Sequence, residues 1–288
     1  EVNPNVPRTF GDVNVPAEQV DYFIAADYPM PEIKDPVLGE RDVKIGKLIA
    51  GIVDDGDCIQ LGIGSIPNAV AAALTDKKDL GVHTEMFTTG IMNLMKAGVV
   101  TGRYKQVHRE KAVCSFMIGS REMYDFVDDN PAVLVLDCNY VNAPGIIARN
   151  DNQVSINTSL EVDITGQCCS ESLGSRQFSG TGGQTDTAVG AQMSRNGRSI
   201  IALYSTAMVK DPVTGERKEA SKIVTRLKEG AAVSLSRNDV NFVVTEYGMV
   251  DLKGASIAER AKKLISIAHP AFREQLEREA YECGIVIR

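Results

Sequence analysis

The chain has 288 residues, a formal net charge of -7 at pH 7, a pI near 5.2 and 43% hydrophobic residues. This length accommodates one large domain or two smaller ones, with enough apolar residues for a sizeable core. The acidic balance argues against a nucleic-acid surface, and no apolar run approaches the ~20 residues that span a bilayer. Anionic ligands are not excluded, because backbone amides bind them whatever the net charge.

The cysteine and histidine content argues against a metal site. The chain has six cysteines and three histidines, and no two cysteines form a CxxC pair. Cys58, Cys114 and Cys138 lie in or beside apolar runs, which predicts small buried hydrophobic side chains. Free cysteines fit a reducing cytoplasm, and no signal peptide is visible. Glu1 stands where an initiator Met is usual, so we expect a cut or processed end.

The first 36 residues predict a connecting arm, because their density of proline disfavours regular helix. From about Val43 the pattern changes, and apolar residues recur at i, i+3, i+4, i+7 and i+8 from Ile45 to Val53. This spacing predicts one apolar face of a helix that ends at residues 54–56. The prolines of the arm are Pro4, Pro7, Pro16, Pro29, Pro31 and Pro36.

Strand-like and helix-like segments then alternate up to about residue 136. A strand followed by a helix of about ten residues, repeated along the chain, predicts an α/β fold with an open, mostly parallel sheet covered by helices. Ser120 is placed to cap the helix that follows it. In order, the segments are CIQLG, NAVAAAL, LGVHT, GIMNLMKAG, AVCSFMIG, REMYDFVDD and AVLVLD.

Beyond Asp151 the pattern is less regular. The segments QVSINTSLEVDITG, SIIALYSTA and NFVVTE predict strands, and SGTGGQTD (179–186) predicts a glycine loop. Two helices, roughly 256–268 and 271–283, close the chain. We find no internal repeat and no low-complexity tract.

Open sheets bind ligands beyond the carboxyl ends of their strands. GIGSIPNA (62–69) lies at such an end and opens a helix, so its amides are placed to face an anion. It lacks the third glycine of a dinucleotide fingerprint and the lysine of a P-loop. It is therefore either a tight strand-to-helix turn or a set of backbone donors for an oxyanion. The glycine loop is likewise either a flexible surface turn or a close approach to a ligand.

Two glutamates follow predicted strands. Glu85 in HTEMFTTG is either a carboxylate stabilised by the start of the next helix or a nucleophile or base. Glu246 in VVTEYG occupies a similar position and competes for the same role. His83 is most simply structural, and no G-x-S-x-G elbow supports a Ser–His–Asp triad.

Several long segments, taken in order, resemble the acetyl-CoA hydrolase/transferase branch of the family I CoA-transferases. The 4-hydroxybutyrate and butyryl-CoA:acetate CoA-transferases resemble the chain most. The resemblance covers nearly the whole chain and implies a CoA-transferase domain of the NagB/RpiA-like fold. The segments are IQLGIGSIPNAV, LGVHTEMFTTGIMNLMKAGVV, SLEVDITGQ, GSRQFSGTGGQTD and SRNDVNFVVTEYGMVDLKGASIAERAKKLISIAHPAF.

The resemblance also implies that one half is missing. Such proteins have two related α/β domains, and EVNPNVPRTFGD resembles a stretch near the end of their amino-terminal half. We therefore expect residues 1–36 to be an arm joining to a missing amino-terminal domain. Residues 37–288 would form the carboxyl-terminal CoA-transferase domain, which carries the catalytic glutamate. The missing half is either a separate chain, cleaved or deleted.

The family's catalytic glutamate matches Glu85. By this resemblance Glu85 attacks an acyl-CoA, forms a glutamyl-CoA thioester and returns CoA to a second carboxylate. The implied substrates are acyl-CoA and short-chain carboxylates, with no permanently bound cofactor or metal. The implied assembly is a homo-oligomer, with no nucleic-acid or membrane partner. The other implied site residues are Gln60, Gly62, Gly64, Gly182 and Gly183 for the oxyanion and CoA, and Thr84 and Glu246 for shaping the site.

Thr84, Thr88 and Thr89 are candidates to donate hydrogen bonds that keep Glu85 ionised. Two alternatives to the transferase remain open from the sequence. One is an acyl-CoA hydrolase on the same scaffold, with water as the final acceptor. The other is a CoA-binding half that is inactive without its partner chain. The acyl group cannot be named from the sequence.

Overall fold

A computed structural model describes residues 1–210 and 215–286. Within these residues the chain alternates α-helices with short strands and adds one 3-10 turn at Ala17–Gln19. The helices are α1 (Glu40–Ala50), α2 (Ser65–Ala73), α3 (Thr89–Lys96), α4 (Arg121–Val127), α5 (Cys138–Val141), α6 (Pro144–Ile147), α7 (Gln184–Met193), α8 (Ile257–Ser266) and α9 (Pro270–Glu282).

The strands are short, and the longest runs from Gln153 to Thr158. They are β1 (Phe10–Gly11), β2 (Cys58–Leu61), β3 (Gly81–Val82), β4 (Met86–Phe87), β5 (Ala112–Cys114), β6 (Phe116–Met117), β7 (Val133–Val135), β8 (Gln153–Thr158), β9 (Glu161–Asp163), β10 (Cys168–Cys169), β11 (Ser172–Leu173), β12 (Arg176–Gln177), β13 (Arg198–Ala202), β14 (Thr206–Lys210), β15 (Arg217–Ser221), β16 (Ile223–Val224), β17 (Phe242–Thr245) and β18 (Gly248–Asp251).

A six-stranded sheet lies at the centre, in the order β18-β17-β13-β8-β2-β3. Its strands run parallel except β18, which pairs antiparallel with β17 at the edge. Strands β2 and β3 are buried throughout, which explains their continuous apolar character in the sequence. The α/β class predicted from the sequence is confirmed.

Two apolar clusters cover the two faces of this sheet. Ile200 and Ala202 of β13 belong to one cluster, and Ile201 belongs to the other. Because successive strand residues point to opposite faces, the clusters lie on opposite sides of the sheet. Helices α1 to α4 pack into the first cluster, and α7 to α9 into the second. Burying one Ile or Leu side chain contributes about 1.5–3 kcal/mol, so packing rather than helix propensity holds these short helices.

The chain after β3 leads from the large sheet to two smaller ones. Strands β1, β7 and β5 form a parallel sheet, and β4 pairs with β6. An isolated parallel bridge joins His83 to Val113 of β5. The segment that carries Glu85 is therefore held between the large sheet and its smaller neighbours.

The proline-rich arm has no α-helix but is more than a connection. Phe10 and Gly11 form β1, which pairs in parallel with Leu134 and Val135. Further along, the Ile33 N–H donates to the Gly119 carbonyl over 3.0 Å. The arm thus packs along the domain and extends one of its sheets.

Several local predictions are confirmed, and one is wrong. The Ser120 hydroxyl accepts from the Met123 N–H over 3.2 Å and caps α4. Both closing helices are present: α8 lies within the predicted limits, and α9 begins at Pro270, one residue before the predicted start. Cys58 and Cys114 are buried, but Cys138 is exposed because it begins α5 rather than ending a buried strand. Among the described residues, no helix has the length and apolar character needed to cross a membrane.

Candidate active site

Glu85 is the last residue of the three-residue link between β3 and β4, and hydrogen bonds fix the backbone of this link from two directions. On one side, the His83 N–H donates to the Ile59 carbonyl over 3.1 Å. On the other, the Glu85 carbonyl accepts from the N–H groups of Ser115 (2.8 Å) and Phe116 (3.2 Å). This anchoring leaves the half-buried side chain as the free part of the residue.

The Glu85 carboxylate meets the glycine loop. Its Oε2 accepts from the Gly183 N–H over 3.2 Å. A Cβ added at Gly183 would lie 2.7 Å from Glu85 Oε2 and 2.5 Å from Asn142 Nδ2, so both side chains converge on this glycine. Within residues 1–210 and 215–286, no Lys or Arg forms an ion pair with Glu85. One carboxylate oxygen therefore remains open to a reaction partner.

A cavity of about 480 Å³ opens beside this carboxylate. Both glycine turns line it, and five of the predicted site residues meet there: Gln60, Gly62, Glu85, Gly182 and Gly183. Its apolar wall is formed by Ile33, Ile63, Met86, Phe116 and Ile118, and its polar wall by Asn157, Thr158, Ser170, Glu171, Ser179, Thr181, Gln184 and Ser234.

The first glycine turn presents different amides from those the sequence indicates. The Gly62 N–H donates to the Ile156 carbonyl over 3.0 Å, so the central sheet already uses it. Gly64 has φ +109° at the start of α2 and lines a neighbouring cavity of about 300 Å³ instead. Between them, Ile63 is 58% exposed and lines both cavities. Gly62 and Ile63 are thus the residues of this turn that line the cavity beside Glu85.

Gln60 is buried, and its amide is largely occupied. Its Oε1 accepts from Ser155 Oγ (2.9 Å) and the Ile156 N–H (3.1 Å). Its Nε2 donates to Asn157 Oδ1 over 3.2 Å. Gln60 therefore braces the floor of the cavity, where β2 and β8 lie side by side, more than it offers a free donor.

The threonines beside Glu85 bond to backbone and not to its carboxylate. Thr84 is 1% exposed, and its hydroxyl reaches the carbonyls of Leu61 (3.4 Å) and Met86 (3.2 Å). Thr88 caps α3 by accepting from the Ile91 N–H over 3.4 Å, and Thr89 Oγ1 accepts from the Ser120 N–H over 3.4 Å. Within the described residues these hydrogen bonds go to backbone groups, and the expectation that the hydroxyls keep Glu85 ionised stays a prediction.

Glu246 lies apart from the Glu85 cavity, and none of its atoms lines that cavity. Its carboxylate accepts from the Ser205 N–H (2.9 Å) and Ser205 Oγ (2.8 Å). Arg41 Nη1 approaches Glu246 Oε1 at 3.7 Å, and the Glu246 side chain is 6% exposed. This carboxylate is therefore fully engaged in structural contacts.

Asn142, at the end of α5, is a site residue that the sequence did not reveal. It is buried, and its Oδ1 has no hydrogen-bond partner in the described structure. His83 fixes the backbone next to Asn142, because His83 Nε2 donates to the carbonyl of the preceding residue, Val141, over 2.8 Å. Burial lowers the pKa of His83 to about 4, so its ring is neutral. No motif in the sequence marks Asn142, because only the fold brings α5 to Gly183.

Cation sites are absent from the parts of the chain that the structure describes: no three His, Cys, Asp or Glu side chains cluster closely enough to hold a metal ion. The groups that line the cavity include two carboxylates, Glu85 and Glu171, together with the glycine turns, other polar side chains and an apolar wall. That combination suits covalent acyl transfer, in which an anionic nucleophile attacks a thioester and amides stabilise the oxyanion.

Comparison with known proteins decides the family. Residues 119–280 match the model of the acetyl-CoA hydrolase/transferase C-terminal domain. The chain belongs to this family. The resemblance found in the sequence motifs is therefore confirmed.

Relatives of this family member are similar along nearly all of the chain. The 4-hydroxybutyrate coenzyme A transferase of Clostridium kluyveri is 47% identical over 97% of the chain and 63% of its own length. RipA from Yersinia pestis has a TM-score of 0.90 at 39% identity, covering 99% of this chain and 62% of that one. A 4-hydroxybutyrate CoA-transferase from Porphyromonas gingivalis has a TM-score of 0.82 at 40% identity, covering 98% and 65%. The chain thus spans less than two thirds of the length of these relatives.

Proposed function

We propose that this chain, completed by an amino-terminal half, is a CoA-transferase that moves CoA between a short-chain acyl-CoA and a free carboxylic acid. The observation that carries the proposal is Glu85 itself, a carboxylate that has no ion pair among the described residues, opens on a cavity and accepts one amide hydrogen bond. Similarity to 4-hydroxybutyrate CoA-transferases supports 4-hydroxybutyrate, butyrate or acetate as the acids. We also infer a domain of the NagB/RpiA-like type, on the family resemblance of the sequence motifs.

In the first step, Glu85 attacks the thioester carbonyl, and the C–S bond breaks to leave an acyl-glutamyl anhydride and CoA thiolate. The thiolate then attacks the glutamyl carbonyl, which releases the free acid and leaves a glutamyl-CoA thioester. A second carboxylate reverses both steps and departs as the new acyl-CoA. One thioester replaces another, so the exchange is close to isoenergetic.

Each step passes through a tetrahedral oxyanion that needs backbone donors. The Gly183 N–H already bonds to Glu85 Oε2, so it is placed to stabilise the oxyanion formed on the glutamyl carbonyl. At the other turn we assign the role to the amide of Ile63 instead of Gly62, whose N–H the sheet uses. Removing one such donor typically costs about 10²–10³ in rate.

Trapping the covalent intermediate tests this function. Incubating the completed protein with acyl-CoA and no acceptor acid should leave CoA on Glu85, and borohydride or hydroxylamine should then modify that residue. Mass spectrometry of the peptide that contains Glu85 reads the result. An active protein in which Glu85 stays unmodified would overturn the assignment.

Two further measurements separate the transferase from its alternatives. Comparing thioester consumption with and without added acetate distinguishes transfer to an acid from hydrolysis. Assaying the chain alone and with an amino-terminal half tests whether activity needs both halves. The proline-rich arm and the fact that the chain spans less than two thirds of its relatives support this need. Gel filtration of the completed protein tests the homo-oligomer.

A further inference from the structure

The glycine loop that carries Gly183 has little packing to hold its shape. Residues 178–182 are exposed, and a Cβ added at Gly180 or Gly182 would meet no atom within 4 Å. Glycine also has the largest backbone freedom to lose on folding. The conformation in which Gly183 meets Glu85 therefore depends on hydrogen bonds made by the loop.

Glu171, in the link between β10 and β11, makes most of those bonds. Its carbonyl accepts from the N–H groups of Phe178 (2.7 Å) and Ser179 (3.1 Å). Its carboxylate Oε1 accepts from the Thr181 hydroxyl over 3.0 Å. One residue thus fixes three successive parts of the loop immediately before Gly182 and Gly183.

The other oxygen of the same carboxylate ties the loop to the body of the domain. Glu171 Oε2 accepts from Ser234 Oγ over 2.8 Å, and Ser234 Oγ accepts from the Ser170 N–H over 3.0 Å. The Ser234 carbonyl accepts in turn from Thr185 Oγ1 in the first turn of α7, over 2.5 Å. Both ends of the loop therefore connect through Glu171 and Ser234.

We propose that Glu171 is a positioning residue for the transfer reaction, whose carboxylate bridges Thr181 and Ser234 and so holds the Gly183 amide against Glu85. The inference rests on the proposed function. It also explains why a second carboxylate in the same cavity is not a rival nucleophile, because hydroxyl groups occupy both of its oxygens. Charge-assisted bonds of this kind are roughly twice as strong as neutral ones.

Thr181 offers a clean test because it is exposed, so its replacement should not disturb folding. Thr181→Val removes the hydroxyl at nearly constant shape, and Thr181→Ser keeps it. Both variants are made in the completed protein, together with Glu171→Ala and Glu171→Gln. Single-turnover formation of the Glu85 adduct gives the rate, and hydrogen exchange of a peptide covering 178–183 gives the order of the loop.

We expect T181V and E171A to speed exchange of this peptide and to slow adduct formation by about 10- to 100-fold, as small misplacements of reacting groups do. T181S should stay within about two-fold of the wild type, and E171Q should lie between E171A and the wild type. A fall in the rate constant at unchanged melting temperature distinguishes positioning from a loss of stability.

The chain offers a matched control in a similar carboxylate cluster away from the cavity. Glu279 of α9 accepts from Thr225 and, over 2.7 Å, from Gln275. Thr225→Val and Glu279→Ala should leave both the loop exchange and the adduct rate unchanged.

Wild-type exchange and rate in T181V and E171A would overturn the inference, as would faster exchange with an unchanged rate. Failure of the proposed function looks different, because Glu85 would then remain unlabelled in the wild type itself. In that case the exchange data still show whether Glu171 orders the loop.

Discussion

The two glutamates that end strands, Glu85 and Glu246, look alike in sequence and differ completely in their surroundings. Glu246 has Ser205 on both oxygens, Arg41 nearby and a side chain that is 6% exposed. The Glu85 carboxylate accepts one hydrogen bond from a backbone amide and lines a cavity of about 480 Å³. A nucleophile needs an oxygen that can leave its hydrogen bonds, and only Glu85 of this pair has one.

The contrast extends to the strands that carry the two residues. The chain around Glu85 is fixed through its backbone, which leaves the side chain free to react. At Glu246 the carboxylate itself makes the structural contacts, because it links the end of β17 to Ser205 and to Arg41 of α1. Removing this carboxylate would leave the N–H and hydroxyl of Ser205 without an acceptor in a buried place.

The strongest test of the comparison is Glu85→Gln beside Glu246→Gln. We expect E85Q to abolish the glutamyl-CoA adduct and lower turnover by on the order of 10⁴-fold or more, as loss of a nucleophile does elsewhere. E246Q should still form the adduct on Glu85. An adduct found on residue 246 in E85Q would reverse the two roles.

The next test sets two glycines of one loop against each other. Gly183→Ala places a methyl group within 2.7 Å of Glu85 Oε2, whereas Gly182→Ala meets no atom within 4 Å. G183A should lower adduct formation by about 10²-fold, because the added methyl group displaces the Glu85 carboxylate and a misplaced reacting group costs about this much. G182A should fold and react much more nearly as the wild type. Equal rates in the two variants would remove Gly183 from the site.

His83, two residues before Glu85, should make the free energy of unfolding depend on pH. Its folded pKa of about 4 lies below its ordinary value of 6.5, so the unfolded state binds the proton more readily. This contribution to stability is complete above pH 6.5 and is lost as the pH falls towards 4. It amounts to at most about 3 kcal/mol.

Urea titrations at several pH values check this expectation. His83→Gln should gain stability relative to the wild type as the pH drops from 6.5 to 4. His108→Gln is the control. Burial also lowers the pKa of His108, but this ring is less buried than that of His83. If the free energy of unfolding changes with pH in the same way for wild type and H83Q, the His83 ring is not held neutral in the folded protein.

The smallest effect is expected at Glu246. Glu246→Ala leaves the buried N–H and hydroxyl of Ser205 without their acceptor and should lower the free energy of unfolding by about 2 kcal/mol. Labelling of Glu85 should persist in the folded variant. A well-folded E246A that no longer forms the adduct would show that the two glutamates act together.

Sequence patterns predicted those parts of the molecule that local rules determine. The spacing of apolar residues located α1, α8 and α9, and the Ser120 cap follows from its position before an apolar run. Residues 60–62 and 182–183 line one cavity with Glu85, so these segments do lie together; that they bind a ligand stays a prediction.

Long-range hydrogen bonds account for what the sequence did not reveal. Nothing local shows that the Gly62 N–H is taken by Ile156, or that the threonine hydroxyls bond to backbone. Asn142 and Glu171 reach the site from segments far along the chain, and neither lies in a motif that marks chemistry. Such partners become visible only when distant elements are placed side by side.

The pairing of β1 with β7 has a practical consequence for anyone who wishes to produce residues 37–288 alone. A fragment that starts at residue 37 would strip an edge strand from the small sheet and expose the backbone groups of Leu134 and Val135 to other chains. It would also take away Ile33, and with it part of the apolar wall of the cavity beside Glu85. The arm belongs inside any fragment designed to keep this cavity intact.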